Sequence, residues 1–281
     1  MSKLTNAFII DPYSHGSFHE VINQSYIMMI ASLYEHITYI ADISSCNCLK
    51  KLMNECNFDY SNVTFIEKHF FKSHTGWAGL DALIDMLIVG WLDYYYYMKT
   101  PKDTDVFYNS TIYIGVSLIC NFSFGKNNRV FDMCHSDMEC IIRRKDDSIP
   151  MRLYSWYLHH IFVKKRLPKK MNFILLSSDM VTYFNRFINP HNRNRIFAID
   201  HAYIRPKNKI VIPQKNDNTI EIGIPGAISP NRCLKTLQHI LNELNNIKIK
   251  IYALSYVSGE IIGDNYIELN KTGCLMPFEE Y

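Results

Sequence analysis

Arg195 to Lys235 reads RIFAIDHAYIRPKNKIVIPQKNDNTIEIGIPGAISPNRCLK, and its reading decides the fold. Ile196 to Ile199 is a short apolar strand that closes on Asp200 and His201. Pro206 and Pro213 then bracket a polar, Lys/Asn-rich run that reads as a linker over residues 206–218. At Ile220 to Ile224 an apolar strand starts afresh, turns at Pro225 and Gly226, and opens a helix near Ser229 and Pro230, a residue suited to a first helical turn. A strand passing through a glycine turn into a helix opens a nucleotide-binding α/β domain, because free N–H groups and the positive dipole end await phosphate. The stretch is therefore a hinge between one α/β domain, residues 1–205, and the start of a second, residues 219–281.

Working outward from the hinge, apolar strands alternate with helical patterns all the way back to the N-terminus. Strands are predicted at Ala7 to Ile10, Ile37 to Ile40, Val63 to Ile66, Val106 to Tyr108, Arg129 to Met133 and Phe173 to Leu176. With Ile196 to Ile199 these make seven strands of one doubly wound parallel sheet. Ser44 or Ser45 is the expected N-cap of the second helix. Leu80, Leu83, Ile84, Leu87, Ile88, Trp91 and Leu92 follow a helical period and predict an amphipathic helix that the Tyr94 to Tyr97 cluster ends. That cluster reads either as an aromatic cap on the core or as a platform for stacking sugar. Beyond the hinge, a further strand is expected at Ile247 to Leu254.

Composition narrows the function. The chain has 281 residues, 48% hydrophobic and 20% charged, with a net charge of +3. That charge is too small to argue for nucleic acid. Eight cysteines are scattered without a C-x-x-C pair, which points to reduced, buried thiols in a cytoplasmic protein. No signal peptide is legible, and Asp81, Asp85 and Asp93 interrupt the most membrane-like segment, Leu80 to Tyr97. Cys134, His135 and Cys140 lack zinc-site spacing, so no metal site is assigned. Neither a Walker A motif nor a G-x-G-x-x-G run is present.

In open α/β sheets the ligand lies beyond the carboxyl ends of the strands. This rule selects Asp11 to His19, Asn109 with Ser110, His135 to Glu139, Ser177 with Ser178, Asp200 with His201, and Gly226 to Lys235. His135 followed four residues later by Glu139 suits hydrogen bonding to sugar hydroxyls or proton transfer at neutral pH. The same two residues equally suit capping a loop and the following helix. His15 and His19 flank the first loop around Gly16. Gly226 lets the backbone approach a ligand, and Arg232 and Lys235, at the start of the next helix, are placed to neutralise a departing diphosphate. They are equally ordinary solvent-facing helix cations.

These pieces, HGSFHEVINQSYI, VFDMCHSDMECI, FAIDHAYI and IGIPGAISPNRCLKTLQHIL, together resemble bacterial glycosyltransferases of the GT-B fold, of the polysaccharide and lipopolysaccharide biosynthesis type. The resemblance implies two facing Rossmann-like domains with parallel sheets, an acceptor bound mainly on the first and a nucleotide-sugar on the second. It places His135, Glu139 and His15 in catalysis. His19, Asn109 and Ser110 fall on the acceptor side, and Gly226, Arg232 and Lys235 on the donor. It implies no cofactor and no bound metal, since the helix dipole and basic side chains take the diphosphate charge. The expected partners are a nucleotide-sugar and a glycan or lipid-linked acceptor, with peripheral membrane association at the inner face and no nucleic acid. Thr219 to Tyr281 falls short of the ~100 residues of an ordinary doubly wound domain. The second domain is accordingly expected to be partial, with little transfer activity, and a catalytically inactive glycosyltransferase-like binding protein is the alternative.

Overall fold

A computed structural model describes residues 4–14, 20–70, 75–109, 126–134, 141, 149–199, 219–224, 234–244 and 247–253. The chain divides into two compact units, Met1–Arg205 and Pro206–Tyr281. The linker read at 206–218 lies outside the described residues.

The first unit is built on β1 (Leu4–Asp11), β2 (Tyr34–Asp42), β3 (Val63–Lys68), β4 (Asp105–Tyr108), β5 (Val130–Cys134), β6 (Met171–Leu175) and β7 (Ile196–Ala198). They form one sheet in the order β3-β2-β1-β4-β5-β6-β7, and every neighbouring pair is parallel. The seven-stranded parallel sheet expected from the alternation is therefore present. Its central strands β1, β4, β5 and β6 are buried on both faces over most of their length, so they appear in the sequence as nearly continuous apolar runs, whereas the edge strands β3 and β7 are largely exposed. Among the described residues, helices α1 (Glu20–Leu33), α2 (Ile43–Glu55), α3 (Ala78–Lys99), α4 (Ile149–His159) and α5 (Ser178–Phe184) make five of the crossovers, and most of the β4–β5 connection lies outside the described residues. α4 widens into a π turn over His160–Lys164.

Alternation along each strand sends successive side chains to opposite faces. Ala7, Ile9, Tyr39 and Ala41 pack with Ile27, Ile30, Leu49 and Met53 of α1 and α2. Phe8, Ile10, Val106 and Phe173 meet Tyr97, Leu158 and Phe162 of α3, α4 and its π turn on the other face. The Phe162 and Phe173 rings meet edge-on at 4.9 Å.

Three local expectations need correction. The N-cap of α2 is Asp42, whose carboxylate accepts from the Ser44 N–H at 2.9 Å, rather than Ser44 or Ser45. Asp42 ends β2 and turns directly into the helix, so one residue serves both elements. The Tyr94 to Tyr97 cluster lies inside the last turns of α3 instead of ending it. Tyr97 is fully buried, as an aromatic cap on the core requires. The apolar stripe of α3 also turns partly outward: Leu80, Leu83, Leu87 and Trp91 are exposed and Ile84, Ile88 and Leu92 half-buried, whereas Val89, Asp93 and Tyr97 are buried. This helix carries more apolar residues than one face can bury, so period alone does not choose the inner side.

The second unit contains parallel β8 (Thr219–Ile224) and β9 (Lys248–Ala253), joined through α6 (Leu234–Glu243). Leu237 and Leu241 of the helix pack on Ile249 and Ile251. This βαβ unit is the arrangement read from the restart after the linker.

Candidate functional site

The sheet order reverses between β1 and β4, and at such a switch point the connections leave in opposite directions and open a crevice at the carboxyl ends. β1 delivers Asp11 to that point, and β4 delivers Asn109 immediately after Tyr108. The Asn109 N–H donates to the Ile10 carbonyl at 3.0 Å, which extends the pairing one step past the strand.

Asp11 is wholly buried and is the hub of a polar cluster. Its Oδ2 accepts from Tyr39 Oη at 2.8 Å, Asn109 Nδ2 at 3.0 Å and Asn23 Nδ2 at 3.1 Å. Its Oδ1 accepts from the Ser14 backbone N–H at 3.3 Å. Asn23 Nδ2 also reaches Ser14 Oγ at 3.2 Å. A buried carboxylate is tolerated only where such donors replace water. The cluster thus ties β1, β2, β4, the first loop and α1 together at one point. Among the described residues, the Oδ1 atoms of Asn23 and Asn109 have no hydrogen-bond partner. Burial, and then the Asp11 charge, hold the Tyr39 phenol far above its ordinary value, so it stays a donor.

Below the same end of the sheet, on the α3 face, Asp93 and Asp132 are buried as well. Burial first, then Asp132 and Asp11, raise the Asp93 carboxyl well above the usual carboxylate range. A raised acid binds more protons folded than unfolded, so it removes stability as pH rises from the unfolded value through the folded one. Asp93→Asn, which keeps the shape without the ionisation, is expected to raise stability at neutral pH relative to the native chain, with the gain shrinking towards pH ~4. Urea unfolding of both proteins across that range tests this. Two parallel stability curves would show that Asp93 does not ionise differently in the fold.

Of the residues singled out from the sequence, His15, His19, Ser110, His135, Glu139, Gly226 and Arg232 lie outside the described residues. Asn109 is at the switch point, buried and bonded to Asp11. Lys235 is exposed in the first turn of α6. Sequence reasoning placed Asp11 in the first loop's list but missed Asn23, Tyr39 and Asp93. Tyr39 reads as an ordinary strand residue, and only the tertiary pairing of β1 with β2 brings its hydroxyl to Asp11. Among the described residues, no group of three or more His, Cys, Asp or Glu could hold a metal. No described helix is long and apolar enough to cross a membrane.

A polar hollow of about 490 Å³ lies at the opposite, amino-terminal edge of the sheet, lined in part by Asn6, Tyr34, Asn128 and Arg129. Arg129 there makes two hydrogen bonds to Asp105, at 2.8 and 2.5 Å, and Tyr34 Oη adds a third at 2.6 Å. These contacts neutralise the cation and clamp the strand starts, so the hollow is a structural joint.

Comparison with solved structures gives matches along nearly the whole chain. Arabidopsis thaliana UGT89C1 complexed with quercetin has a TM-score of 0.51 at 11% identity, covering 95% of this chain and 74% of that one. TarM has a TM-score of 0.53 at 11% identity, covering 95% of this chain and 77% of that one. The fold is GT-B-like. UGT89C1 complexed with UDP-L-rhamnose also matches, with a TM-score of 0.53 at 10% identity over 92% of this chain and 69% of that one. No protein-family model matches the chain, and no curated protein matches its sequence. Identities this low carry the GT-B-like architecture alone. The Asp11–Asn109 cluster lies at the carboxyl edge of the first sheet.

Proposed function

We propose that the protein is a glycosyltransferase. It moves a sugar from a nucleotide-sugar to a glycan or lipid-linked acceptor in cell-surface polysaccharide synthesis, acting in the cytoplasm at the inner face of the membrane. The observation that carries this reading is the GT-B-like succession of two parallel α/β units, the first with a buried polar cluster at its switch point. Solved structures of UGT89C1, with this architecture, hold UDP-L-rhamnose in one case and quercetin in another.

In the proposed reaction the acceptor hydroxyl attacks the anomeric carbon. The bond from that carbon to the diphosphate oxygen breaks, and the electron pair leaves with the nucleoside diphosphate. The hydroxyl proton passes to a base among His135, Glu139 and His15, groups whose chemistry suits transfer near neutral pH. His19, Asn109 and Ser110 hold the acceptor. Gly226, Arg232 and Lys235 take the donor diphosphate, whose growing charge is met by cations and helix N–H groups. No cofactor takes part in this scheme.

A thermal-shift screen of the full chain against nucleoside diphosphates and nucleotide-sugars tests the proposal. A ligand at about a hundred times its Kd adds about 2.7 kcal/mol to the folded state, which raises Tm by a readable amount. A clear shift with at least one nucleotide-sugar is expected, followed by sugar transfer when acceptor is supplied. No shift with any of them would overturn the proposal, and a shift without transfer would favour a binding protein.

A further inference from the structure

The chain contains three tryptophans, Trp77, Trp91 and Trp156, and each is more than half exposed, at 76%, 64% and 53%. All three lie on the helical layer formed by α3 and α4, whose inner sides meet in one core around Tyr97, Leu158 and Phe162. On α4 the inward stripe is Ser155, Leu158 and Phe162, all fully buried. The outward stripe is Ile149, Leu153 and Trp156, exposed at 74%, 64% and 53%. On α3 the outward stripe is Leu80, Leu83, Leu87 and Trp91. A soluble helix ordinarily turns charge outward and apolar residues inward. Both helices here present apolar and aromatic side chains on the outside as well, which marks an interaction surface.

Charge identifies the occupant. Between Ile149 and Arg195 the only acidic residue is Asp179, while Lys and Arg recur throughout. Lys164, the last residue of the π turn that continues α4, and Lys165 and Lys169 just beyond it are exposed. Trp156 stacks on His160 at 5.7 Å, so the apolar stripe passes without a break into the basic segment. A second copy of the chain would bring the same positive charge against itself. An anionic surface complements it, and tryptophan and leucine beside lysine form the pattern of segments that sit at a bilayer interface.

We propose that the outer side of α4 and its π turn docks on an anionic lipid bilayer. Trp156, Leu153 and Ile149 enter the headgroup region, and Lys164, Lys165 and Lys169 lie against anionic lipid. The inference names the surface behind the membrane association proposed above, but rests on exposure and charge, not on transfer chemistry.

Flotation of the full chain with phosphatidylcholine vesicles, with and without phosphatidylglycerol, tests it. Binding is expected to the anionic vesicles, weakening as salt is raised. Leu153→Glu with Trp156→Glu is expected to cut that binding by about tenfold or more, without altering the melting temperature, because both side chains are exposed. Lys164→Glu with Lys165→Glu is expected to remove the preference for phosphatidylglycerol. In a Trp77→Phe, Trp91→Phe chain the remaining Trp156 emission should shift to the blue on anionic vesicles. No vesicle binding, or binding that both double variants leave unchanged, would overturn the proposal. So would a dimer in light scattering that the Leu153→Glu, Trp156→Glu pair dissociates, since a second copy would then be the occupant. The assay contains no nucleotide, so its failure and the failure of the transfer reading are separate results.

Discussion

Asp11→Ala is expected to destabilise the first unit by about 3–5 kcal/mol, the cost of breaking a buried, fully engaged charge cluster. The carboxylate accepts three side-chain donors and one backbone N–H, and no part of it reaches solvent. Alanine leaves the Tyr39 hydroxyl, the Asn109 amide and the Ser14 N–H without the acceptor they share, and the Asn23 amide with Ser14 Oγ alone. Each stranded buried donor costs about 1–3 kcal/mol, reduced wherever water or a neighbour replaces the bond. Urea unfolding should show the midpoint falling sharply with little change in slope, because the surface exposed on unfolding stays the same. Asp11→Asn retains one acceptor oxygen in the same place and should cost clearly less. A loss below about 1 kcal/mol for alanine would mean that the cluster does not hold the switch point together.

How much of this was legible beforehand follows from which forces act locally. The central strands were readable because burial on both faces makes each one a short apolar run, as in FIID before the first loop and YIAD before the second helix. Their parallel pairing follows from the intervening helices. The strand-end rule reached Asp11 and Asn109, since it needs only the order of elements. It could not reach Tyr39 or Asp93, whose roles depend on which strand lies beside which and on which side of α3 turns inward. The inversion of α3 shows the limit plainly. Leu80, Leu83, Leu87 and Trp91 make a better apolar stripe than Val89, Asp93 and Tyr97, yet the second set fits the sheet. The Tyr97 ring fills the space above β4 and β5, and the Tyr108 hydroxyl donates to the Asp93 backbone carbonyl at 3.4 Å. Shape complementarity across the layer outweighs the period within one helix.

Arg232→Ala combined with Lys235→Ala is expected to weaken nucleoside diphosphate binding by roughly 10- to 100-fold, since charge-assisted contacts to phosphate contribute about 1.5–3 kcal/mol each before losses to solvent. Lys235 stands exposed in the first turn of α6, and that turn contains no acidic residue. Leu237 and Leu241 hold the opposite side of the helix on β9, so Lys235 has no part in the core. A cation at a helix amino terminus opposes the macrodipole and costs about 0.3–1 kcal/mol. An incoming diphosphate reverses that cost, because the anion is attracted to the dipole and the cation together. Two measurements therefore separate a phosphate site from an ordinary surface lysine. Without ligand, Lys235→Ala should leave the unfolding midpoint unchanged or slightly higher. In calorimetric titration the double variant should lose affinity for uridine diphosphate while binding uridine as before. Equal losses for the charged and the neutral ligand, or none for either, would remove these cations from the donor site.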